Sequence, residues 1–237
     1  MGALRRRRSQ PSRLRVALAP EDWAERLQIW LSLVLQALIL GVFIGALYET
    51  QWLVAFTSLA VLALTFLPAM IARQFQVQLP VEFTFVTCLF LYASFGLGEV
   101  AMFYERFWWW DLLLHSVSAL VMGLLGFLLI YAFHSTHRVK MAPFYVAITA
   151  FCYSMSVGAL WEIFEFLMDQ GFGFNMQKSA HDTMTDLIVD AAGAFLAAWM
   201  GYHYVKNGDS LIADRLVRRF VARNPRLFPP RRQSGAS

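Results

Sequence analysis

Residues 161–193 read WEIFEFLMDQGFGFNMQKSAHDTMTDLIVDAAG. Glu162, Glu165, Asp169, His181, Asp182, Asp186 and Asp190 stand in this stretch, next to or inside apolar runs long enough to cross a bilayer. A carboxylate at the centre of a membrane helix costs about 3 kcal/mol on insertion scales, so a cluster of them belongs on a face turned toward the bundle interior. Asp182, Asp186 and Asp190 recur every four residues. At about 100° per residue they cover a stripe about 80° wide on one helix face.

The rest of the chain sets that stretch in a membrane. Its 237 residues are 58% hydrophobic and 15% charged, with a mean hydropathy of +0.50, whereas soluble domains carry charge on about a quarter of their residues. The apolar runs are too long, and too free of apolar–polar alternation, for barrel strands. The expected fold is therefore an all-α bundle of six transmembrane helices, at about 29–48, 52–71, 81–104, 112–133, 143–168 and 184–204. Residues 1–28 form a basic N-terminal segment, 29–205 the transmembrane domain and 206–237 a basic tail. The first apolar run reads as an uncleaved signal anchor. Cys88 and Cys152 fall mid-span and read as small core residues rather than a disulfide.

Charge orients the bundle. With the N-terminus inside, the inner segments collect eighteen of the twenty Lys and Arg, leaving Arg106 and Lys178 outside. That asymmetry satisfies the positive-inside rule for a bacterial inner membrane with both termini cytoplasmic. The N-terminal arginines then anchor the chain's orientation and do not bind nucleic acid. From Asp209 to Val221, Ile212, Leu216, Val217 and Phe220 lie on one arc and Arg215, Arg218 and Arg219 on another. This pattern predicts a basic amphipathic helix resting on the anionic cytoplasmic leaflet.

On this topology the polar groups of four helices meet in the outer half of the membrane: Glu99, then Asp111 and His115, then Glu162 and Glu165, then His181, Asp182, Asp186 and Asp190. Ten of the sixteen acidic residues lie on that side, against two basic ones. Such a group needs protons or a bound cation. Asp111 with His115, Glu162 with Glu165, and Asp182 with Asp186 are pairs at i, i+3 or i, i+4, the offsets that bring two ligands to one point. His115, Glu162, Asp186 and Asp190 are therefore expected to hold a divalent metal such as Zn, Mn, Fe or Mg. Glu165 is the expected general base, and Glu99, Asp111, His181 and Asp182 form an additional polar set. Small residues at Ser154, Gly158, Gly193 and Ala197 share these faces and suit close helix packing.

The motifs W-W-D-L-L-L-H at 109–115, W-E-I-F-E at 161–165, and D-T-M-T-D-L at 182–187 followed by D-A-A-G resemble the YjdF-like family of uncharacterised bacterial inner-membrane proteins. More distantly the chain is similar to VanZ-like membrane proteins, where Asn is the more usual residue at the position of Asp190. The resemblance implies a polytopic membrane protein with a shared polar core and carries no activity with it. Three function classes follow from the residues themselves. One is a metal-dependent enzyme hydrolysing a lipid or lipid-linked substrate. The second is a cation or proton transporter. The third is an accessory subunit whose acids organise packing.

Overall fold

The computed structural model describes residues 23–74, 76–135, 141–173, 176–207 and 213–228. The basic run Arg5–Arg8 with Arg13 and Arg15, the pair Arg138 and Lys140, and the end of the tail beyond 228 lie outside the described residues. Among the described residues every regular element is helical. Five helices are long and apolar enough to span a membrane, or six if a bent pair counts as one span, so this is a multi-pass membrane protein.

Helix α1 covers Trp23–Tyr48. It is followed by α2, Trp52–Leu64, and α3, Leu67–Gln74, which meet at a 40° bend. The second expected span is thus broken, and Pro68 explains where. Its ring removes a donor and clashes with the preceding turn. Thr65, at the break, accepts a hydrogen bond from Gln36 Nε2 of α1 at 2.9 Å.

Helix α4, Val81–Leu91, runs on as a π-helical segment, Tyr92–Val100. The span ends there rather than continuing to 104, because Met102 takes a left-handed φ of 60° and turns the chain into the short α5, Phe103–Arg106. Gly98 lets α5 fold back: a Cβ on Gly98 would overlap the Tyr104 ring. Tyr104 and Ser94 then join hydroxyls at 2.9 Å.

Three long helices complete the bundle: α6, Trp110–Ser135, α7, Pro143–Phe172, and α8, Ala180–Asn207. They pack on one another more extensively than any other elements do. Pro143 opens α7, where its fixed φ suits a first turn. Gly173, at φ 69°, closes it in the left-handed conformation that glycine adopts without strain. Ser179 caps α8 by accepting from Asp182 N at 3.1 Å, so the helix starts before 184 and takes His181 and Asp182 into its first turn.

The seam between these helices is made of small side chains. A Cβ on Gly193 would come within 2.5 Å of the Ser116 carbonyl, and one on Gly123 within 2.5 Å of Ala197 Cβ. Ser154 Oγ donates to the Ala119 carbonyl at 2.7 Å across the buried α6–α7 contact. These approaches fix the backbone spacing directly below the acidic end.

At the opposite end lies α9, Ala213–Arg223. Leu216, Val217 and Phe220 are buried in the same core as Phe83, Leu124 and Leu128. Of the expected arc, Ile212 lies outside the described residues, while Leu216, Val217 and Phe220 pack on the bundle and Arg215 and Arg218 are the exposed face. Arg223 binds Glu25 at 2.7 Å, while Arg219 binds Glu82 and lies 3.5 Å from Glu25. Asn224 donates to the Gln78 carbonyl at 2.9 Å and accepts from Gln78 N at 2.8 Å. The positive end of a helix that reads as a membrane-surface element in sequence is therefore held by a buried carboxylate of α1, Glu25, and a half-buried one of α4, Glu82.

Candidate functional site

The start of α6, the last turns of α7 and the start of α8 come together at one end of the bundle, as their alternating directions require. His115, Glu162, Asp186 and Asp190 are all buried there, with 7%, 4%, 3% and 1% of their surface exposed. His115 Nε2 lies 3.7 Å from Glu162 Oε1 and 3.9 Å from Asp111 Oδ1. Its other ring nitrogen, Nδ1, lies 3.3 Å from Asp190 Oδ1. One ligating atom each from His115, Glu162 and Asp186 lie within 4.8 Å of one another.

Asp190 thus occupies the opposite side of the imidazole from Glu162. A carboxylate on one ring nitrogen fixes the tautomer and the orientation of the other, which is how ligating histidines are commonly held. Its place depends on Gly158, where any Cβ would overlap Asp190 Oδ2. The glycine in α7 makes the space that the aspartate in α8 fills.

Four carboxylate oxygens in this cluster have no hydrogen-bond partner among the described residues: Glu162 Oε1 and Oε2, Asp186 Oδ1 and Asp190 Oδ2. Leaving a buried acceptor unsatisfied costs about 1–3 kcal/mol, and more when it is charged.

Around this centre lies a more open rim. Asp111, Asp182 and Asp186 bring ligating atoms within 4.8 Å of one another, so Asp186 belongs to both groups. Lys178, from the loop between α7 and α8, places Nζ 3.1 Å from Asp111 Oδ2 and 5.6 Å from the centre of the Tyr104 ring. Burial of Lys178 works against its charge, but the neighbouring Asp111, Asp182 and Asp186 carboxylates outweigh it and hold the ammonium above the ordinary lysine range. The loop itself is shaped by Asp169, which accepts from Met176 N at 2.8 Å and Gln177 N at 2.9 Å. Gln177 Nε2 then reaches the Glu162 carbonyl at 3.3 Å and Thr183 Oγ1 at 2.9 Å.

The other expected site residues lie farther out. Glu165 is half-buried one turn beyond Glu162 and accepts from Trp161 Nε1 at 2.8 Å. His181 is exposed, with Nδ1 3.5 Å from Thr185 Oγ1, and Glu99 is exposed on the π-helical segment; neither joins the candidate ligand groups. Lys178 and Gln177 enter the site without a motif to announce them. The signal for Lys178 was its rarity, as one of two basic residues on the acidic side of the sequence.

The family described as a predicted membrane protein, DUF2238, matches residues 27–207. The chain belongs to this family. That match takes in α1 to α8 and every residue of the site, and it is consistent with the resemblance to YjdF-like proteins. The chain is also similar to an uncharacterised protein of Thermotoga maritima, 32% identical over 112 residues, which is 45% of this chain and 54% of the relative. It thus spans about half the length of that relative. No solved structure matches the chain.

Proposed function

We propose that this protein holds a divalent cation between α6, α7 and α8, in the outer half of a bacterial inner membrane, and uses it to hydrolyse a lipid or lipid-linked substrate. The observation that carries the reading is the triad of His115, Glu162 and Asp186. Its candidate ligand atoms lie within 4.8 Å of one another, and three of its carboxylate oxygens have no hydrogen-bond partner among the described residues although their residues are more than nine-tenths buried. One imidazole and two carboxylates from three helices fit Zn, Mn or Fe, and leave part of a coordination sphere open. Protonation would quiet the charges but would leave new hydroxyl donors to satisfy.

Bound there, a divalent cation supplies Lewis-acid polarisation and acidifies a water. The chain's own groups do the rest. Asp190 holds His115 by Nδ1 and so aims Nε2 at the centre. Glu165, with one oxygen on Trp161, keeps its second oxygen to accept a proton as general base. Exposed Trp108, Trp109, Trp161 and Phe164 flank this end with apolar surface suited to an acyl or polyprenyl chain.

A transporter would need a polar route onward past Asp190. The packing of Gly193 on the Ser116 carbonyl and of Ala197 against Gly123 argues against one, and supports a site open on one side. The test is metal content on purified protein, for the parent, Asp186→Asn and the remote control Glu49→Gln. A stoichiometric divalent metal in parent and control, reduced in Asp186→Asn with the bundle still folded, is expected. Equal metal content in all three, or none in the parent, refutes the reading.

A further inference from the structure

We infer that the site takes two divalent cations, the second held by Asp111, Asp182 and Asp186, with Asp186 bridging the pair. This rests on the reading of the His115, Glu162 and Asp186 triad as a metal centre. It goes beyond it by assigning a second position, its ligands and its ion class.

Three observations carry it. The two ligating groups share Asp186, and each is compact to 4.8 Å. A carboxylate has two oxygens, and one shared between adjacent sites is the usual bridge of two-metal centres whose ions stand about 3.5–4 Å apart. Asp186 is 3% exposed, its Oδ1 has no hydrogen-bond partner among the described residues, and it offers an oxygen to both groups. Finally, a cation already borders the second group: Lys178 Nζ sits 3.1 Å from Asp111 Oδ2, and its side chain is 45% exposed.

Charge balance agrees. Asp111, Glu162, Asp182, Asp186 and Asp190 bring five negative charges together, against Lys178, with His115 neutral when it serves as a ligand. With Lys178 in place, one divalent ion leaves the cluster negative by two; a second ion that displaces the ammonium leaves a single negative charge. The donor types also separate the two positions. The first has an imidazole and suits a borderline ion, whereas the second is all oxygen and half-exposed, which suits Mn²⁺ or Mg²⁺. Lys178 is then the resident counter-ion of the half-loaded state, displaced when the second ion enters.

The experiment loads chelator-stripped, detergent-purified full-length protein with Mn²⁺ and reads both Mn per chain and the electron paramagnetic resonance spectrum. The parent is expected to bind two Mn²⁺ with an exchange-coupled spectrum. Asp182→Asn should bind one, with the six-line spectrum of an isolated ion, and Lys178→Met should bind the second ion about tenfold more tightly. Asp111→Asn serves as a second route to the one-ion state should Asp182→Asn fail to fold, since the Asp182 carboxylate also accepts from Lys178 N at the start of α8. One Mn²⁺ in the parent, lost in Glu162→Gln, would overturn the second position while leaving the first intact. No Mn²⁺ in the parent would overturn both. Two uncoupled ions, or two coupled ions that persist in Asp182→Asn and Asp111→Asn, would place the second elsewhere and overturn the assignment.

Discussion

Glu162→Gln separates a metal centre from a packing network by the sign of its effect. In the metal-free protein, Glu162 faces Asp186 with ligating oxygens within 4.8 Å, and neither Glu162 oxygen has a hydrogen-bond partner among the described residues. Two carboxylate charges about 5 Å apart at an effective dielectric near 20 repel by about 3 kcal/mol. The amide keeps the shape and removes one charge, while His115 retains Asp190 on Nδ1. In chelator the variant should therefore be more stable than the parent, by up to about 3 kcal/mol. A domain of this size shifts by roughly 2–4 °C per kcal/mol, so the change is measurable.

Adding metal should reverse the order. A ligand at a hundredfold excess over its Kd stabilises the parent by about 2.7 kcal/mol, and a variant that has lost a ligand forfeits most of this. Thermal unfolding followed by tryptophan fluorescence, with chelator and then with excess Mn²⁺ or Zn²⁺, reads both arms. If Glu162 serves only to pair with His115, its loss breaks a buried ion pair and costs about 3–5 kcal/mol in either condition. A variant less stable than the parent in chelator, with an unchanged response to metal, refutes the metal centre.

Gly158→Ala should displace Asp190 and cost about 1–3 kcal/mol by overpacking, with weaker metal binding, while Gly45→Ala, which has nothing within 4 Å, should leave metal binding intact; isothermal titration of both decides it. Ser154→Ala removes the buried bond to the Ala119 carbonyl and should destabilise by about 1 kcal/mol without changing metal stoichiometry, as chemical denaturation and metal analysis would show. Metal occupancy should fall as pH is lowered, because carboxylate and imidazole ligands must shed protons to bind, and equilibrium dialysis across acid pH reads this directly. The pairing of Lys178 has the opposite dependence. A lysine raised above its ordinary value of 10.5 contributes fully below that pH and loses its contribution only as pH climbs through the raised value, so the stability difference of Lys178→Met should be flat across neutral pH.

The residues that were legible in sequence are those whose meaning depends on spacing alone. Asp182, Asp186 and Asp190 declare a helix face, and Glu162 shares a stripe with Ser154 and Gly158, so the faces that meet could be named without coordinates. The role of Asp190 was not legible, since it depends on which ring nitrogen of His115 it reaches. Lys178 was also hidden. Its position follows from a loop bent by Asp169 carboxylate bonds to two backbone amides, a geometry that no periodicity encodes. The arc of Leu216, Val217 and Phe220 shows a different limit. An amphipathic pattern states that a face is buried but not whether lipid or protein buries it, and here Glu25 and Glu82 decide for protein by binding Arg219 and Arg223.

The small residues and the acids of this bundle are two parts of one arrangement. Carboxylates from separate helices can share a cation only if their backbones stand close enough for short side chains to meet. Gly193 on the Ser116 carbonyl and Gly123 against Ala197 bring α6 and α8 to that distance, and Gly158 admits Asp190 between α7 and α8. Larger residues would widen the seam, and the aspartates would then need to be glutamates to reach. The choice of Asp at 186 and 190 on α8, with the longer Glu162 opposite on α7, matches a close crossing of α6 with α8. The seam also separates the charged end from the apolar core. The apolar contacts of Leu124, Leu128 and Val146 lie toward the opposite end, where α9 is clamped by its arginines, so the core there does not depend on the site.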